Sequence, residues 1–149
     1  MIVLDIEVLI EILDKKSQKG SEILEKILDT DEKIGTTVIN LHEVLCCLKK
    51  YAKLVEEVMR LPVLDYTKKD AVLAADIELK AEAKGTSIRK TDAMIAAIAN
   101  NNKADLYTLD LKHFQPIKEL GFLKLFSKNK AFQLNEYRQF LTNQRQGFF

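Results

Sequence analysis

Short apolar runs alternate with amphipathic stretches along most of this chain. The short runs are rich in β-branched side chains, which favour strands, and unbroken apolar runs are typical of parallel strands covered on both faces. We expect these strands at residues 2–4, 34–39, 63–64, 105–109 and 122–126. Between them apolar residues recur at helical spacing, as at Val8, Leu9 and Ile12. Strands that alternate with helices predict an α/β fold around a mostly parallel sheet.

Polar residues that commonly cap helices indicate where several helices begin. Asn40, Thr67 and Thr91 each precede a helical pattern and are expected to accept a hydrogen bond from its first turn. In the long helix after Thr67, the residues expected to line the apolar side are Val72, Leu73, Ile77 and Leu79. These caps place helices between the predicted strands, as an α/β fold requires.

The last third of the chain is harder to assign to regular elements. Residues 112–120 are expected to form a loop with one helical turn. Beyond Ser127 the composition shifts to Lys, Asn, Gln and Phe, and Phe132, Tyr137 and Phe140 are spaced to mark one side of a terminal helix. We therefore expect one domain over residues 1–126 and a helical C-terminal extension over residues 127–149.

Composition narrows the choice of function without deciding it. The 149 residues carry a net charge of +1, so any contact with RNA must come from local patches. The adjacent Cys46 and Cys47 lack the spacing of a metal site and are expected to be small buried side chains in a reducing compartment. The first residues show no secretory leader, and no apolar run approaches the roughly 18 residues of a membrane helix. The expected location is the cytoplasm, with no membrane partner.

Four acidic residues occupy the ends of predicted elements. Asp5 follows the first strand and Asp110 follows the fourth strand. Glu43 is expected in the first turn of the helix after the second strand, and Asp92 in the first turn of the helix before the fourth. Ligands of open parallel sheets collect beyond the carboxyl ends of the strands, so we expect these four side chains to share one crevice.

Four neighbouring carboxylates need a cation. At 4 Å one pair repels by about 4 kcal/mol at an effective dielectric constant of 20, and no Lys or Arg cluster is interleaved with the acids in the sequence. Hard oxygen ligands suit Mg²⁺ or Mn²⁺, and such an ion supports phosphodiester hydrolysis. Each acid also has a structural explanation: Asp5 as a strand end, Glu43 in a capping box, Asp92 at a helix N-terminus and Asp110 in a turn. The set is more persuasive than its members.

Three segments of the sequence carry a resemblance to a known family. They read IVLDIEVLIEIL, TTVINLHEVLCCL and KTDAMIAAIANNNKADLYTLDLKHF. Together they resemble PIN-domain ribonucleases, most closely the VapC-type toxins of prokaryotic toxin–antitoxin pairs. The resemblance, over about residues 1–126, implies an α/β/α sandwich of three layers around a mostly parallel sheet. It also implies that Asp5, Glu43, Asp92 and Asp110 bind Mg²⁺ or Mn²⁺ and catalyse endonucleolytic RNA cleavage, in a homodimer that an antitoxin protein inhibits.

Other residues bear on the substrate and on activity. Thr108 matches the family's hydroxyl residue ahead of the last acid, and we expect Thr108, Arg89 and Lys90 to contribute to RNA binding, although an ordinary charged loop also explains the two cations. Ile6 stands where the family usually has a hydroxyl, and Glu7 is either a fifth carboxylate of the site or a solvent-facing side chain. The alternative function is therefore a catalytically inactive PIN-like domain that binds RNA or a protein.

Overall fold

The computed structural model describes residues 1–14, 16–48 and 55–127. In chain order the described elements are β1 (Ile2–Leu4), α1 (Ile6–Leu13), α2 (Gln18–Leu28), β2 (Ile34–Thr37), α3 (Val38–Leu48), α4 (Val55–Met59), β3 (Val63–Leu64), α5 (Lys68–Ala83), α6 (Lys90–Asn101), β4 (Asp105–Tyr107) and α7 (Leu111–Glu119). None of the described helices combines the length and the apolar character that crossing a bilayer requires.

The four described strands form one parallel sheet in the order β3-β2-β1-β4. The chain passes from β1 to β2 on one side, whereas β4 pairs on the other side of β1. The order therefore reverses at β1, and this is where a parallel sheet opens a crevice at its carboxyl edge. The predicted α/β fold with a parallel sheet is confirmed.

Side chains of β1 alternate between two hydrophobic cores. Ile2 and Leu4 pack on one face with residues of α1, α2, α3 and α4. Val3 packs on the other face with residues of α5, α6 and α7. All three are fully buried, since helices cover both faces of the strand. The arrangement is the predicted sandwich of three layers.

The junction between β2 and α3 differs from the prediction. The strand ends at Thr37 and the helix begins at Val38, so Asn40 lies inside α3 and does not cap it. Instead the Thr37 hydroxyl accepts a hydrogen bond from the Asn40 backbone N–H at 3.1 Å. The β-branched Val38 and Ile39 resemble strand residues, which placed the boundary too late in the sequence. As a result Glu43 lies in the second turn of α3, not in the first.

The long helix α5 begins as predicted but buries only part of the predicted apolar side. Thr67 and Asp70 form a complete capping box. Of the predicted apolar residues, Ile77 is buried and Leu73 packs against the core, whereas Val72 and Leu79 are 62% and 63% exposed, so for these two the prediction was wrong. The other buried positions include Ala74 and Ala81, whose short side chains let α5 approach the alanine-rich α6 closely.

Other differences concern element ends in the second half of the chain. Residues 112–120 are mostly helical, because α7 places Phe114 and Ile117 in the core despite Pro116 within it. The predicted last strand is reduced to an isolated bridge between Leu106 and Leu125. Thr91 does not cap α6, which begins one residue earlier. The predicted terminal helix falls in residues 128–149, outside the described residues.

Candidate functional site

The four predicted acids line a single cleft at the carboxyl edge of the sheet. Asp5 joins β1 to α1, Glu43 lies on α3, Asp92 lies in the first turn of α6, and Asp110 precedes α7. The cleft has a volume of about 810 Å³. Residues far apart in sequence thus meet because their elements end at the same edge.

Strand register brings Asp5 beside Thr108. Leu4 pairs with Tyr107, so the next residue of each chain segment is adjacent. The Thr108 hydroxyl donates a hydrogen bond to Asp5 Oδ2 at 2.6 Å and accepts one from the Asp110 backbone N–H at 3.0 Å. Thr108 is buried and its hydroxyl is occupied by these two contacts. It orients the acids in this structure, while its predicted contact with RNA stays a prediction.

Burial and like charge raise the pKa of two of the acids. Burial is the main cause for Asp5, and the nearby charges of Asp92 and Glu7 add to it, outweighing the hydrogen bond from Thr108 that lowers this pKa. Burial also raises the pKa of Glu43, with further contributions from the charges of Asp5 and Asp92. Both carboxyl groups therefore gain from any cation that enters the cleft.

Arg89 partly neutralises the cleft, although no cluster of Lys or Arg is interleaved with the acids in the sequence. Its Nε donates to Asp92 Oδ2 at 2.7 Å, and one terminal nitrogen reaches Asp92 Oδ1 and Asp110 Oδ2, both at 3.2 Å. The Asp92 side chain is 4% exposed, whereas that of Arg89 is 55% exposed. Arg89 comes directly before α6, and the i,i+3 spacing to Asp92 is the sequence signal for this pair.

His113 is a further side chain in contact with Asp110. Its Nδ1 lies 2.6 Å from Asp110 Oδ1, across one turn of α7. Although burial raises the pKa of Asp110, the hydrogen bond from His113 and the charges of His113 and Arg89 outweigh it, and this pKa is lowered. The charged form of Asp110 is thus stabilised by its two neighbouring side chains, His113 and Arg89.

Some of the remaining residues considered in the sequence line the cleft, and others do not. Lys90 is exposed and is not among the residues that line the cleft. Glu7 is exposed at its edge and Ile6 is part of its wall. Cys46 and Cys47 are exposed on the cleft side of α3, so the expectation that they are buried was wrong. An apolar helical pattern does not reveal which face a thiol occupies.

The donor chemistry of the cleft suits a hard divalent cation, but the side chains are not in a binding arrangement as they stand. Among the residues that the structure describes, no three His, Cys, Asp or Glu side chains converge closely enough to hold a metal ion. The carboxylates of Asp92 and Asp110 instead face the guanidinium of Arg89. The carboxylate oxygens of the buried Asp5 and the half-buried Glu43, both with raised pKa values, nevertheless match the ligand preference of Mg²⁺ and Mn²⁺.

Comparison with known proteins places this fold and site in a family. The family model for the PIN domain matches residues 2–120, so the chain belongs to the PIN domain family. A search of curated proteins gave no match. The resemblance predicted from the three sequence segments is thereby confirmed at the level of the family.

Solved structures with a similar fold include several VapBC proteins. VapBC2 from Rickettsia felis, bound to a promoter DNA fragment, is 25% identical with a TM-score of 0.70, over 85% of this chain and 98% of that chain. DNA-bound VapBC from Salmonella typhimurium is 24% identical with a TM-score of 0.69, over 84% and 96%. FitAcB from Neisseria gonorrhoeae is 20% identical with a TM-score of 0.70, over 85% and 97%. The last two likenesses concern the fold alone.

Proposed function

We propose that this chain is a divalent-metal-dependent endoribonuclease that serves as the toxin of a toxin–antitoxin pair. The observation that carries the proposal is the convergence of Asp5, Glu43, Asp92 and Asp110 on one cleft of a PIN domain. The similarity to VapBC complexes supports the toxin assignment. Nucleases of this family use divalent cations, in keeping with the carboxylates of the cleft.

The four acids have distinct roles in the proposed site. Asp5, Asp92 and Asp110 would hold Mg²⁺ or Mn²⁺, with Glu43 as a further ligand or as the group that orients a water. When bound, the ion would polarise a phosphodiester and lower the pKa of a nearby water. Glu43, whose pKa is raised, would accept a proton from the attacking water more readily than an ordinary carboxylate.

Neighbouring side chains prepare this arrangement. Thr108 keeps the Asp5 carboxylate in place, and His113 does the same for Asp110. In-line attack of water on phosphorus would leave a 5′-phosphate and a 3′-hydroxyl. Arg89 and Lys90 are both exposed at the N-terminus of α6 and would contact the phosphates of the RNA.

The similar VapBC structures support an antitoxin partner, whereas the homodimer and the cytoplasmic location are what the family resemblance implies. An antitoxin protein would cover the acidic cleft, and two copies of the chain would form a homodimer acting in the cytoplasm. Co-expression with the product of an adjacent reading frame, followed by size-exclusion chromatography, tests the first point. Sedimentation of the chain alone tests the second, and a monomer at micromolar concentration would contradict it.

Cleavage of a structured RNA with and without Mg²⁺ or Mn²⁺ tests the proposed activity. We expect cleavage that EDTA abolishes, and at least about a hundredfold loss of rate in Asp92→Asn, since a metal ligand is removed. Asp76→Asn, an exposed change on α5, is the matched control and should retain the wild-type rate. Cleavage by Asp92→Asn at the wild-type rate, or cleavage that resists EDTA, would contradict the proposal.

A second function is supported by the wall of the cleft. Ile6 lines it where the family usually has a hydroxyl, and an apolar side chain cannot hydrogen-bond to a ligand or a water there. A PIN domain that binds RNA or a protein without cutting it would tolerate this change. Calorimetric titration separates the two functions, because the binding module would show no heat of Mg²⁺ or Mn²⁺ binding at millimolar concentration.

A further inference from the structure

Arg89 occupies oxygens that the proposed metal ion requires. Its guanidinium contacts both carboxylate oxygens of Asp92 and one of Asp110. Arg89 directly precedes α6, and its side chain makes no capping hydrogen bond to the helix backbone. The second oxygen of Asp110 is taken by His113. Every described carboxylate oxygen of these two acids therefore already has a partner supplied by the chain itself.

The charge of the cleft depends strongly on this one side chain. The described residues that line the cleft include the carboxylates of Asp5, Glu7, Glu43, Asp92 and Asp110, but Arg89 is the one Lys or Arg among them. Its own pKa is raised, first by the hydrogen bond to Asp92 and then by the surrounding negative charges. Arg89 thus acts where a divalent ion would act, as the cation between two acids.

The same side chain is placed to leave the cleft. Asp92 is almost completely buried and fixed on α6, whereas more than half of the Arg89 side chain is exposed. An arginine with an exposed guanidinium can rotate into solvent at small energetic cost, because water replaces its hydrogen bonds. A buried aspartate on a packed helix has no comparable freedom.

We propose that Arg89 is a displaceable internal counter-cation, which holds Asp92 and Asp110 in the metal-free protein and competes with the divalent ion for them. The inference rests on the proposed metal site. Metal entry would require Arg89 to swing out, and this would leave its guanidinium at the mouth of the cleft. The simpler alternative is that the pair only stabilises the first turn of α6, in which case metal binding would not move Arg89.

Metal affinity in three variants separates these alternatives. Mn²⁺ binding is measured by calorimetry for the wild type, Arg89→Gln and Lys90→Gln. The last is the matched control, because it removes the same charge from the adjacent residue, which does not line the cleft. We expect Arg89→Gln to bind Mn²⁺ roughly fivefold more tightly or more, the scale of one charge-assisted ion pair, and Lys90→Gln to stay within about twofold. Arg89→Lys, which keeps the charge without the two-pronged contact, should fall between them.

Nitrogen-15 spectra of the arginine side chains give a readout that is independent of activity. Addition of Mg²⁺ to the wild type should shift the Nε–H signal of Arg89 to the position of a solvated guanidinium. Equal Mn²⁺ affinity in all variants with an unmoved Arg89 signal would overturn the inference and leave the metal site standing. Weaker binding by Arg89→Gln would also overturn it, since Arg89 would then be positioning the acids. Absence of binding in every variant, Arg89→Gln included, would overturn both proposals.

Discussion

At the scale of single residues, the acids of the cleft differ in the direction of their pKa shifts. Asp5 is buried beside other carboxylates, which raises its pKa, whereas Asp110 is held by His113 and Arg89, which lowers its pKa. The two shifts act oppositely on stability. Asp5 in its charged form destabilises the metal-free protein, and Asp110 in its charged form stabilises it.

Asp5→Asn should stabilise the metal-free protein at neutral pH while removing activity. The pKa of Asp5 is higher in the folded protein than in the unfolded chain, so the protonated side chain favours folding. This stabilisation is fully present below the unfolded-state pKa near 3.8 and is lost as the pH rises through the folded-state pKa. The variant avoids this loss, and an asparagine oxygen can still accept the hydrogen bond from Thr108. We expect a gain on the order of 1 kcal/mol, or about 3 °C in Tm, measured by thermal unfolding in EDTA.

Acidic pH and a distant substitution serve as controls for this effect. The gain should disappear below about pH 3, where Asp5 is largely protonated in both the folded and the unfolded state. Asp76→Asn should show no gain at either pH, because its side chain is exposed on α5. A Tm of Asp5→Asn below that of the wild type at pH 7 would contradict the electrostatic explanation.

Metal affinity should fall with decreasing pH sooner than at an ordinary carboxylate site. Protons compete with the ion for Asp5 and Glu43, and both have raised pKa values, so the loss begins above the usual carboxylate range. Mn²⁺ titrations between about pH 4.5 and 8 would show this dependence. In Glu43→Gln, one of the two competing protonation steps is missing, so Mn²⁺ affinity should depend less steeply on pH. An unchanged slope would exclude Glu43 from the site.

At the scale of elements, helix starts marked by a local capping residue could be predicted from the sequence. Features that depend on packing between helices could not. The cap at Thr67 was predicted because its hydrogen bonds lie within four residues. The buried face of α5 was predicted only in part, since it follows from contact with the alanine-rich side of α6. The start of α3 was missed because Val38 and Ile39 suit a strand locally, although the helix already begins at Val38 and the Thr37 hydroxyl accepts a hydrogen bond from its first turn.

Gly20→Ala tests how closely α1 and α2 pack. A Cβ atom at Gly20 would lie 2.0 Å from the backbone oxygen of Glu11, so one helix must shift. We expect a loss of about 1–3 kcal/mol in the free energy of unfolding, although alanine is favoured over glycine within a helix by about 1 kcal/mol. Chemical denaturation measures the difference. Lys19→Ala, an exposed change in the same helix, should be close to neutral, and a neutral Gly20→Ala would contradict the close contact.

At the scale of the whole molecule, the central prediction was that distant acids share one edge of a parallel sheet. Strand order and the opposite positions of β2 and β4 around β1 make this possible, and alternation of apolar runs with helices was enough to predict it. Contacts within the cleft were not predictable in the same way. The hydrogen bond between Thr108 and Asp5 depends on strand register, and the bridge from Arg89 to Asp110 depends on the tertiary fold.

Diffraction from crystals soaked in MnCl₂, recorded with anomalous scattering from manganese, tests the central claim most directly. The account predicts a manganese peak in the cleft, coordinated by carboxylate oxygens of Asp5, Asp92 and Asp110, with Glu43 at or near the ion. A cleft without a peak at saturating Mn²⁺, with Arg89 still seated between its two acids, would contradict it.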